Sequence, residues 1–246
     1  MKKFLILLFS FFFGTLITSC AVQTNVIKSL DTAKKSVLKI ETWARQGVCE
    51  EENMTCDNFE LFSTGSGAVV LHNNKKAVLT AAHVCKQNGS LIFLGEKIEI
   101  ETYIKAIDRK NKEYIIEIIK HNSEADICLL RSVSGSLEPG YLKLSTKSLE
   151  YGEITYNLAG PMGIIDGDMV PVFQGQFFGN LHGNAFYSTP VIGGSSGSPI
   201  VNFKGELVGM IHSVHYRFHH IALSATYERL WNFLKIAQNH TSQSQN

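Results

Sequence analysis

Two neighbouring stretches indicate the fold: Gly67-Ala68-Val69-Val70-Leu71 and, after a polar interval, Lys76-Ala77-Val78-Leu79-Thr80. Both are short and rich in β-branched side chains, and the interval His72-Asn73-Asn74-Lys75 separates them. Apolar runs of about four to eight residues, bounded by Gly, Asn, Asp or Ser, are typical of β-strands. We therefore predict one strand in each stretch.

The same pattern recurs along most of the chain. Further segments of this kind are Val37-Leu38-Lys39-Ile40, Leu91-Ile92-Phe93-Leu94, Tyr114-Ile115-Ile116-Glu117-Ile118-Ile119, Ile127-Cys128-Leu129-Leu130, Met169-Val170-Pro171-Val172-Phe173 and Leu207-Val208-Gly209-Met210-Ile211. Many short strands without intervening helical patterns favour an all-β barrel or sandwich. Only the C-terminal end has helical spacing, an apolar stripe at i, i+3, i+4 and i+7 formed by Tyr227, Leu230, Trp231 and Leu234.

Composition places the chain among folded proteins and argues against a nucleic-acid partner. Of the 246 residues, 44% are hydrophobic and 18% are charged, with 23 Lys and Arg against 22 Asp and Glu. This balance leaves no basic excess of the kind that nucleic-acid binding uses. The ample apolar content at low net charge excludes an intrinsically disordered chain.

The N-terminal residues resemble an export signal. Met1-Lys2-Lys3 is positively charged, and the run from Phe4 to Ile17 contains no charged residue. This run is shorter than the ~20 apolar residues that a membrane-spanning helix needs. It leads into Ile17-Thr18-Ser19-Cys20, which resembles the lipobox of bacterial lipoprotein signals. The resemblance implies a signal peptide over residues 1–19 and a lipid anchor on Cys20.

This interpretation places the mature protein in the bacterial cell envelope, facing the periplasm or on the outer membrane, with residues 20–35 as a polar tether. Ala21 after the lipobox favours the outer membrane, because lipoproteins retained on the inner membrane usually have Asp at that position. The alternatives are an ordinary signal peptide with an incidental cysteine, or an uncleaved anchor.

Export also changes the interpretation of the cysteines. Besides Cys20 there are four, an even number that suggests two disulfides in an oxidising compartment. Cys49 and Cys56 flank a short polar stretch and form the simplest pair, which leaves Cys85 with Cys128. Free buried thiols at Cys85 and Cys128 are the alternative. A metal site is disfavoured because the sequence contains no Cys-x-x-Cys, and no cofactor is expected.

Three segments contain the residue types that amide hydrolysis requires. They are Leu79-Thr80-Ala81-Ala82-His83-Val84-Cys85, Glu124-Ala125-Asp126-Ile127-Cys128-Leu129-Leu130 and Gly193-Gly194-Ser195-Ser196-Gly197-Ser198-Pro199-Ile200. A serine hydroxyl needs a neighbouring base, a histidine can act as base and then as acid, and a buried carboxylate holds the tautomer of that histidine. Backbone N–H groups in a glycine-rich turn can stabilise an oxyanion. The order His, Asp, Ser therefore predicts a hydrolase with a serine nucleophile.

These segments resemble the signatures T-A-A-H-C, D-[IL]-A-L-L and G-D-S-G-G-P of the chymotrypsin/trypsin-like serine peptidases. Thr64-Gly65-Ser66-Gly67 and Leu158-Ala159-Gly160-Pro161-Met162-Gly163 are similar to segments of the bacterial HtrA/Deg-type and glutamyl-endopeptidase branches. The resemblance implies one peptidase domain over residues 36–237, built from two six-stranded antiparallel β-barrels with a boundary near residues 135–145 and a C-terminal α-helix. We expect a tail at residues 238–246 and no PDZ domain.

The resemblance also assigns roles to individual residues. It makes His83 the general base, Asp126 the residue that orients it, and Ser196 the nucleophile. The backbone N–H groups of Gly194 and Ser196 would form the oxyanion hole. Ser195 stands where digestive members carry an Asp that pairs with a newly cut N-terminus, so activation by that route is not expected.

Three other residues compete for these roles. Ser195 and Ser198 are rivals for the nucleophile, but only Ser196 lies between Gly-x and Gly-x-Pro. Asp108 is a rival carboxylate, although the sequence around it, Arg109-Lys110-Asn111-Lys112, indicates a solvated turn.

The primary specificity pocket of the family is lined by residues before the nucleophile and by the strand after it, which gives Val191, His212 and Ser213 as candidates. An apolar wall without Asp favours small or medium apolar substrate side chains. His212 could instead bind an acidic side chain, as a histidine does in glutamyl endopeptidases, but its spacing is offset by one residue. His215 and His219 would suit a metal only on a helix, whereas the resemblance implies strand and loop beside the substrate cleft, with an exposed polar loop that contributes to specificity.

The leading hypothesis is a serine endopeptidase that hydrolyses proteins or peptides. The second is a proteolytically inert member of the family that binds peptides or a partner protein in its cleft. An esterase-like hydrolase is disfavoured because the sequence lacks Gly-x-Ser-x-Gly in a strand–turn–helix context.

Overall fold

The computed structural model of the chain describes residues 23–46, 58–85, 89–93, 96–167 and 169–235. The predicted signal peptide, lipidated Cys20, the pair Cys49 and Cys56, and the predicted tail lie outside these residues. Within the described ranges, no helix has the length and apolar character that crossing a membrane needs.

The first sheet is formed by the N-terminal strands. These are β1 (Val37–Gln46), β2 (Glu60–His72), β3 (Lys75–Thr80), β4 (Gly89–Phe93), β5 (Glu96–Ile107), β6 (Glu113–Asn122) and β7 (Ile127–Ser132). The strand order is β1-β2-β3-β7-β6-β5-β4, and β1 also pairs antiparallel with β5. Six strands therefore close into a ring, and β4 is an additional strand on β5.

The second sheet is a closed barrel in the order β10-β13-β12-β11-β8-β9. Its strands are β8 (Ile154–Leu158), β9 (Val172–Leu181), β10 (Asn184–Tyr187), β11 (Pro199–Val201), β12 (Leu207–His215) and β13 (Phe218–Ala225). All of its pairings are antiparallel. The predicted all-β, chymotrypsin-like architecture is confirmed.

Residues 133–153 connect the two sheets and are held against both. Parallel bridges join Leu142 to Val70 of β2 and Leu144 to Leu207 of β12. The buried apolar side chains of the two sheets consequently form one continuous core across this connection, with a smaller cluster inside the second barrel. This continuity fixes the two sheets relative to each other, which matters because the candidate site draws residues from both.

Two helices accompany the sheets. The predicted C-terminal helix is present as α2 (Tyr227–Lys235), with Leu230 and Leu234 buried. Residues 23–34, within the segment interpreted as a tether, form the helix α1, so the expectation of helix only at the C-terminal end was wrong. This helix packs against the core through Ala33, which is 3% exposed, and Leu30.

Candidate active site

His83 lies in the turn after β3, where the chain leaves the core of the first barrel. Its side chain is 43% exposed, whereas Ala81 and Ala82 before it are buried. The ring Nδ1 lies 2.7 Å from Oδ2 of Asp126, and the backbone N–H of His83 donates to Oδ1 of the same carboxylate at 2.9 Å. A carboxylate accepts hydrogen bonds, so Nδ1 carries the proton and Nε2 of the neutral ring has a free lone pair.

Asp126 immediately precedes β7 with a left-handed backbone conformation, φ 52°. Its carbonyl accepts the N–H of Ala82 at 3.2 Å, so the two segments are also joined through the backbone. Burial would raise the pKa of the Asp126 carboxyl, but hydrogen bonds from His83 and the charges of the imidazoles of His83 and His212 hold this pKa below its ordinary value. The group is therefore a carboxylate at neutral pH.

A disulfide joins the two segments that carry these residues. Cys85 and Cys128, each two positions after His83 and Asp126, are bridged with Cα atoms 6.5 Å apart. Both cysteines are buried. The structure thus contains the predicted pairing, and the bond ties the histidine turn to the start of β7.

The turn at residues 193–198 brings Ser196 against the first barrel. The N–H of Gly197 donates to the carbonyl of Ile211 at 2.7 Å, which ties the turn to β12. The carbonyl of Ser196 accepts the N–H of Ser66 at 2.7 Å, which ties the turn to β2. Gly197 has φ 87°, and a Cβ there would lie 2.0 Å from the Ser66 carbonyl oxygen, so this close approach requires glycine.

The three serines of this turn differ in the surroundings of their hydroxyls. Ser195 is 1% exposed and its Oγ accepts the N–H of Ile192 at 3.5 Å. Ser198 is fully buried and donates to Oδ1 of Asn157 at 2.7 Å. Ser196 is half-buried, and its Oγ makes no hydrogen bond to any described residue, the ring of His83 included. Of the three, only Ser196 offers a hydroxyl that a substrate can reach.

The same turn leaves the backbone N–H groups of Gly193, Gly194 and Ser196 without an acceptor in the described part of the chain. Gly194 has φ 90°, and its carbonyl accepts the hydroxyl of Ser66 at 2.8 Å. The carbonyl of Gly193 accepts the N–H of Met162 at 2.8 Å. The carbonyl of Ser195 accepts the N–H of Ser198 at 3.0 Å. The carbonyls of Gly193 and Ser195 are therefore engaged within the protein, and the N–H groups on the other side of the same peptide units, those of Gly194 and Ser196, have no acceptor in the described part of the chain. An oxyanion could accept hydrogen bonds from both.

Ser66 is the part of this arrangement that sequence reasoning missed. Besides donating to Gly194, its Oγ accepts the N–H of Gly160 at 3.0 Å, just before the 3₁₀ turn Pro161–Gly163. One buried hydroxyl therefore joins β2 to two loops of the second barrel. The available signal was the segment Thr64-Gly65-Ser66-Gly67, whose serine lies between two glycines.

Asp108, the rival carboxylate, lies in the turn between β5 and β6. Its Oδ1 accepts the N–H groups of Lys110 and Lys112 at 2.8 and 3.0 Å, and its Oδ2 accepts the Tyr114 hydroxyl at 3.3 Å. Asp108 is 5% exposed, whereas Lys110, Asn111 and Lys112 of the same turn are exposed. The turn is therefore solvated, but its carboxylate is directed inward and closes the turn.

The three candidates for the specificity pocket lie in different surroundings. Val191 is half-buried and packs against the apolar cluster inside the second barrel. Ser213 is half-buried on β12, opposite Leu223 of β13. The His212 side chain is 11% exposed, and its Nδ1 lies 4.0 Å from Oδ2 of Asp126. The structure thus places His212 beside the carboxylate.

A cavity of about 490 Å³ opens next to His83. Its lining includes Ile118, His121 and Ser123, from β6 and the turn that follows it. The cavity provides space for a substrate side chain beside the imidazole.

A family model described as a trypsin-like peptidase domain matches residues 65–210, more than half of the chain. The matched region includes the segments of His83, Asp126 and Ser196. No curated protein matches the chain significantly.

Solved structures of low sequence identity share the fold. One is Rv3671c from M. tuberculosis H37Rv, in the inactive form of a serine-to-alanine mutant, with 15% identity, a TM-score of 0.58, and coverage of 89% of this chain and 93% of that one. Another is the serine endoprotease from Yersinia pestis, with 13% identity, a TM-score of 0.64, and coverage of 87% of this chain and 67% of that one. At such identities the likeness concerns the fold alone.

Proposed function

The chain belongs to the trypsin-like peptidase domain family, and from that premise we propose that it is a serine endopeptidase with Ser196 as its nucleophile. The observation that carries the proposal is the turn at residues 193–198, which combines the reachable Ser196 hydroxyl with N–H groups of Gly194 and Ser196 that have no acceptor in the described chain. Acyl transfer requires a nucleophile and oxyanion donors of this kind.

In the proposed reaction, Nε2 of His83 accepts the proton of the Ser196 hydroxyl as its Oγ attacks the substrate carbonyl. The resulting oxyanion accepts hydrogen bonds from the N–H groups of Gly194 and Ser196. His83 then passes its proton to the leaving amine, and a water molecule repeats the attack on the acyl-enzyme. Asp126 keeps the ring in the required tautomer and stabilises the imidazolium.

The Asp126–His83 geometry supports this assignment, because a 2.7 Å contact at Nδ1 leaves Nε2 free to act as the base. No hydrogen bond links Ser196 to His83 in the described part of the chain. Catalytic hydrogen bonds of this kind are often long until substrate binds. The proposal therefore requires that a bound peptide bring Oγ and Nε2 together.

We propose a small or medium apolar side chain on the substrate residue before the cleaved bond. Val191 contributes an apolar wall, and across the β12–β13 pair Val214 faces Ala222. None of these side chains can neutralise a buried substrate charge. An unbiased peptide-library digestion would measure this preference.

Labelling with a fluorophosphonate probe tests the activity, because the probe reacts with serines that a neighbouring base activates. We expect labelling of the wild-type protein, and none of Ser196→Ala or of His83→Ala, which keeps the serine but loses the base. Ser148→Ala, which changes an exposed serine of the connecting segment, is the control and should label normally. An unlabelled wild-type protein would contradict the proposal and favour the inert, peptide-binding alternative.

We also propose that the protein is exported and anchored through an acylated Cys20. The lipobox-like Ile17-Thr18-Ser19-Cys20 supports this location, and the buried Cys85–Cys128 disulfide suits an oxidising compartment. Metabolic labelling with a palmitate analogue tests it. Wild-type protein should label and sediment with membranes, whereas Cys20→Ser should do neither; equal labelling of both would refute the anchor.

A further inference from the structure

His212 occupies an irregular position in the second barrel. In the β12–β13 pairing, Ile211 is opposite Ser224 and Ser213 is opposite Leu223, so His212 falls at a register shift. A β-bulge of this kind changes the direction in which the side chain of the extra residue points. Here the imidazole is directed out of the second barrel and toward Asp126 of the first.

The imidazoles of His83 and His212 both face the same oxygen of the Asp126 carboxylate. Oδ2 of Asp126 lies 2.7 Å from Nδ1 of His83 and 4.0 Å from Nδ1 of His212. Oδ1 is already engaged by the backbone N–H of His83. At 4.0 Å the His212 contact is not a hydrogen bond, so His83 alone holds Oδ2 in this arrangement.

The charge state of His212 decides whether this arrangement persists. The titratable groups that face its ring are Asp126 and His83, and β13 presents the carbonyl of Ser224. Burial lowers the pKa of His212 and the charge of His83 lowers it further, against the raising effects of Asp126 and the Ser224 carbonyl. The pKa of His212 is consequently below its ordinary value, which favours the neutral ring.

We propose that His212 is a positioning residue for Asp126. Its neutral ring encloses Oδ2 on one side, whereas its protonated ring competes with His83 for that oxygen. This inference rests on the proposed peptidase function. Acid then inactivates the site in two steps. A proton on Nε2 of His83 removes the base, and a proton on His212 draws the carboxylate away from His83.

The pH dependence of kcat/KM on an apolar peptide substrate tests the proposal. For the wild-type protein, the acid limb should steepen from one-proton to two-proton dependence as the pH falls. His212→Asn keeps a polar group near the place of Nδ1, but the asparagine cannot be protonated. The acid limb of its kcat/KM profile should therefore keep the slope expected for a single protonation. His182→Asn, on the exposed turn between β9 and β10, is the matched control and should behave as wild type.

A second variant separates positioning from simple packing. His212→Ala should lower kcat roughly tenfold with little change in KM, an effect of the size seen when a residue that orients a metal ligand is removed. His212→Asn should restore most of the lost kcat. Identical acid limbs for wild type and His212→Asn would overturn the proposal. So would a change in preference for acidic substrates with no change in the acid limb, which would place His212 in the specificity pocket.

An NMR measurement distinguishes failure of this inference from failure of the proposed function. In the Ser196→Ala protein, the hydrogen-bonded Nδ1 proton of His83 should give a low-field resonance that is lost as His212 protonates. With His212→Asn added, the resonance should persist to lower pH. An unlabelled, inactive protein would refute the peptidase function, whereas a resonance insensitive to residue 212 would refute the role of His212.

Discussion

Ser66 lies directly behind the candidate oxyanion turn, and its hydroxyl donates to the carbonyl of Gly194 at 2.8 Å. The same Oγ accepts the N–H of Gly160 at 3.0 Å, and Ser66 is fully buried. The hydrogen bond holds the Gly194 carbonyl inside the protein. Loss of the hydroxyl would leave two backbone groups without their partner.

We therefore expect Ser66→Ala to act on both stability and turnover. Stability should fall by about 1–3 kcal/mol because buried groups lose a hydrogen bond. The fall in kcat should be about tenfold or more, yet smaller than the ~10²–10³-fold loss on removing an oxyanion donor itself. Urea unfolding and steady-state kinetics measure the two effects. Ser63→Ala, exposed on the same strand, is the control, and equal kcat values for both variants would contradict the role of Ser66.

Two glycines with similar backbone angles should respond differently to alanine. Gly197 has φ 87°, and a Cβ there would overlap the Ser66 carbonyl oxygen at 2.0 Å, whereas Gly152 has φ 81° with nothing within 4 Å. Gly152→Ala should cost only the left-handed strain of about 1–2 kcal/mol. Gly197→Ala should cost more than about 4 kcal/mol, because the barrels must separate. Thermal unfolding compares them, and equal losses would show that the barrel contact is not tight.

The Cys85–Cys128 disulfide should stabilise the protein mainly by restricting the unfolded chain. It closes a loop with a sequence separation of 43 residues, for which a loss of about 2–4 kcal/mol is expected on removal. The double variant Cys85→Ala and Cys128→Ala keeps both positions apolar and removes the cross-link together with the two buried sulfur atoms. Urea unfolding with and without reductant provides the control, since reductant should destabilise the wild-type protein more than the variant, which lacks this cross-link. An unchanged midpoint for the variant would contradict the prediction.

Much of the fold and part of the site could be predicted from local patterns. Strands such as β3 and β7 were recognisable because each contains a continuous run of four largely apolar residues, as expected for segments buried on both faces. The neighbouring placement of His83 and Asp126 was implied by a resemblance, and the Cys85–Cys128 pairing was consistent with it. The helix α1 was missed because its segment is mostly polar, and only a few of its residues, among them Leu30 and Ala33, contact the core.

The remaining features depend on contacts between distant segments. The position of His212 is set by the register shift between β12 and β13, which no single strand encodes. Asp108 looked solvated because its sequence neighbours are charged, yet backbone N–H groups and a tyrosine hydroxyl draw the carboxylate inward. In both cases the surroundings of the side chain depend on how segments of the chain pair, and the amino-acid composition does not reveal that pairing.

Asp126 should make the stability of the protein sensitive to acid. Its folded pKa lies below the ordinary value of 3.8, because the hydrogen bonds and charges from His83 and the charge of His212 outweigh burial. Protons therefore bind the unfolded chain more readily, so the contribution of Asp126 is complete above the unfolded pKa and is lost as the pH falls through the folded pKa. Asp126→Asn removes this dependence, and its stability should decline less steeply below about pH 4 than that of the wild type.

Urea unfolding at a series of acidic pH values measures this difference as the slope of unfolding free energy against pH. Asp31→Asn, which changes an aspartate on the exposed face of α1, is the matched control because it removes one carboxylate outside the site. The control should follow the wild-type slope. Parallel slopes for wild type and Asp126→Asn would mean that His83 does not favour the ionised carboxylate in the folded protein, and the tautomer assigned to its ring would lose its support.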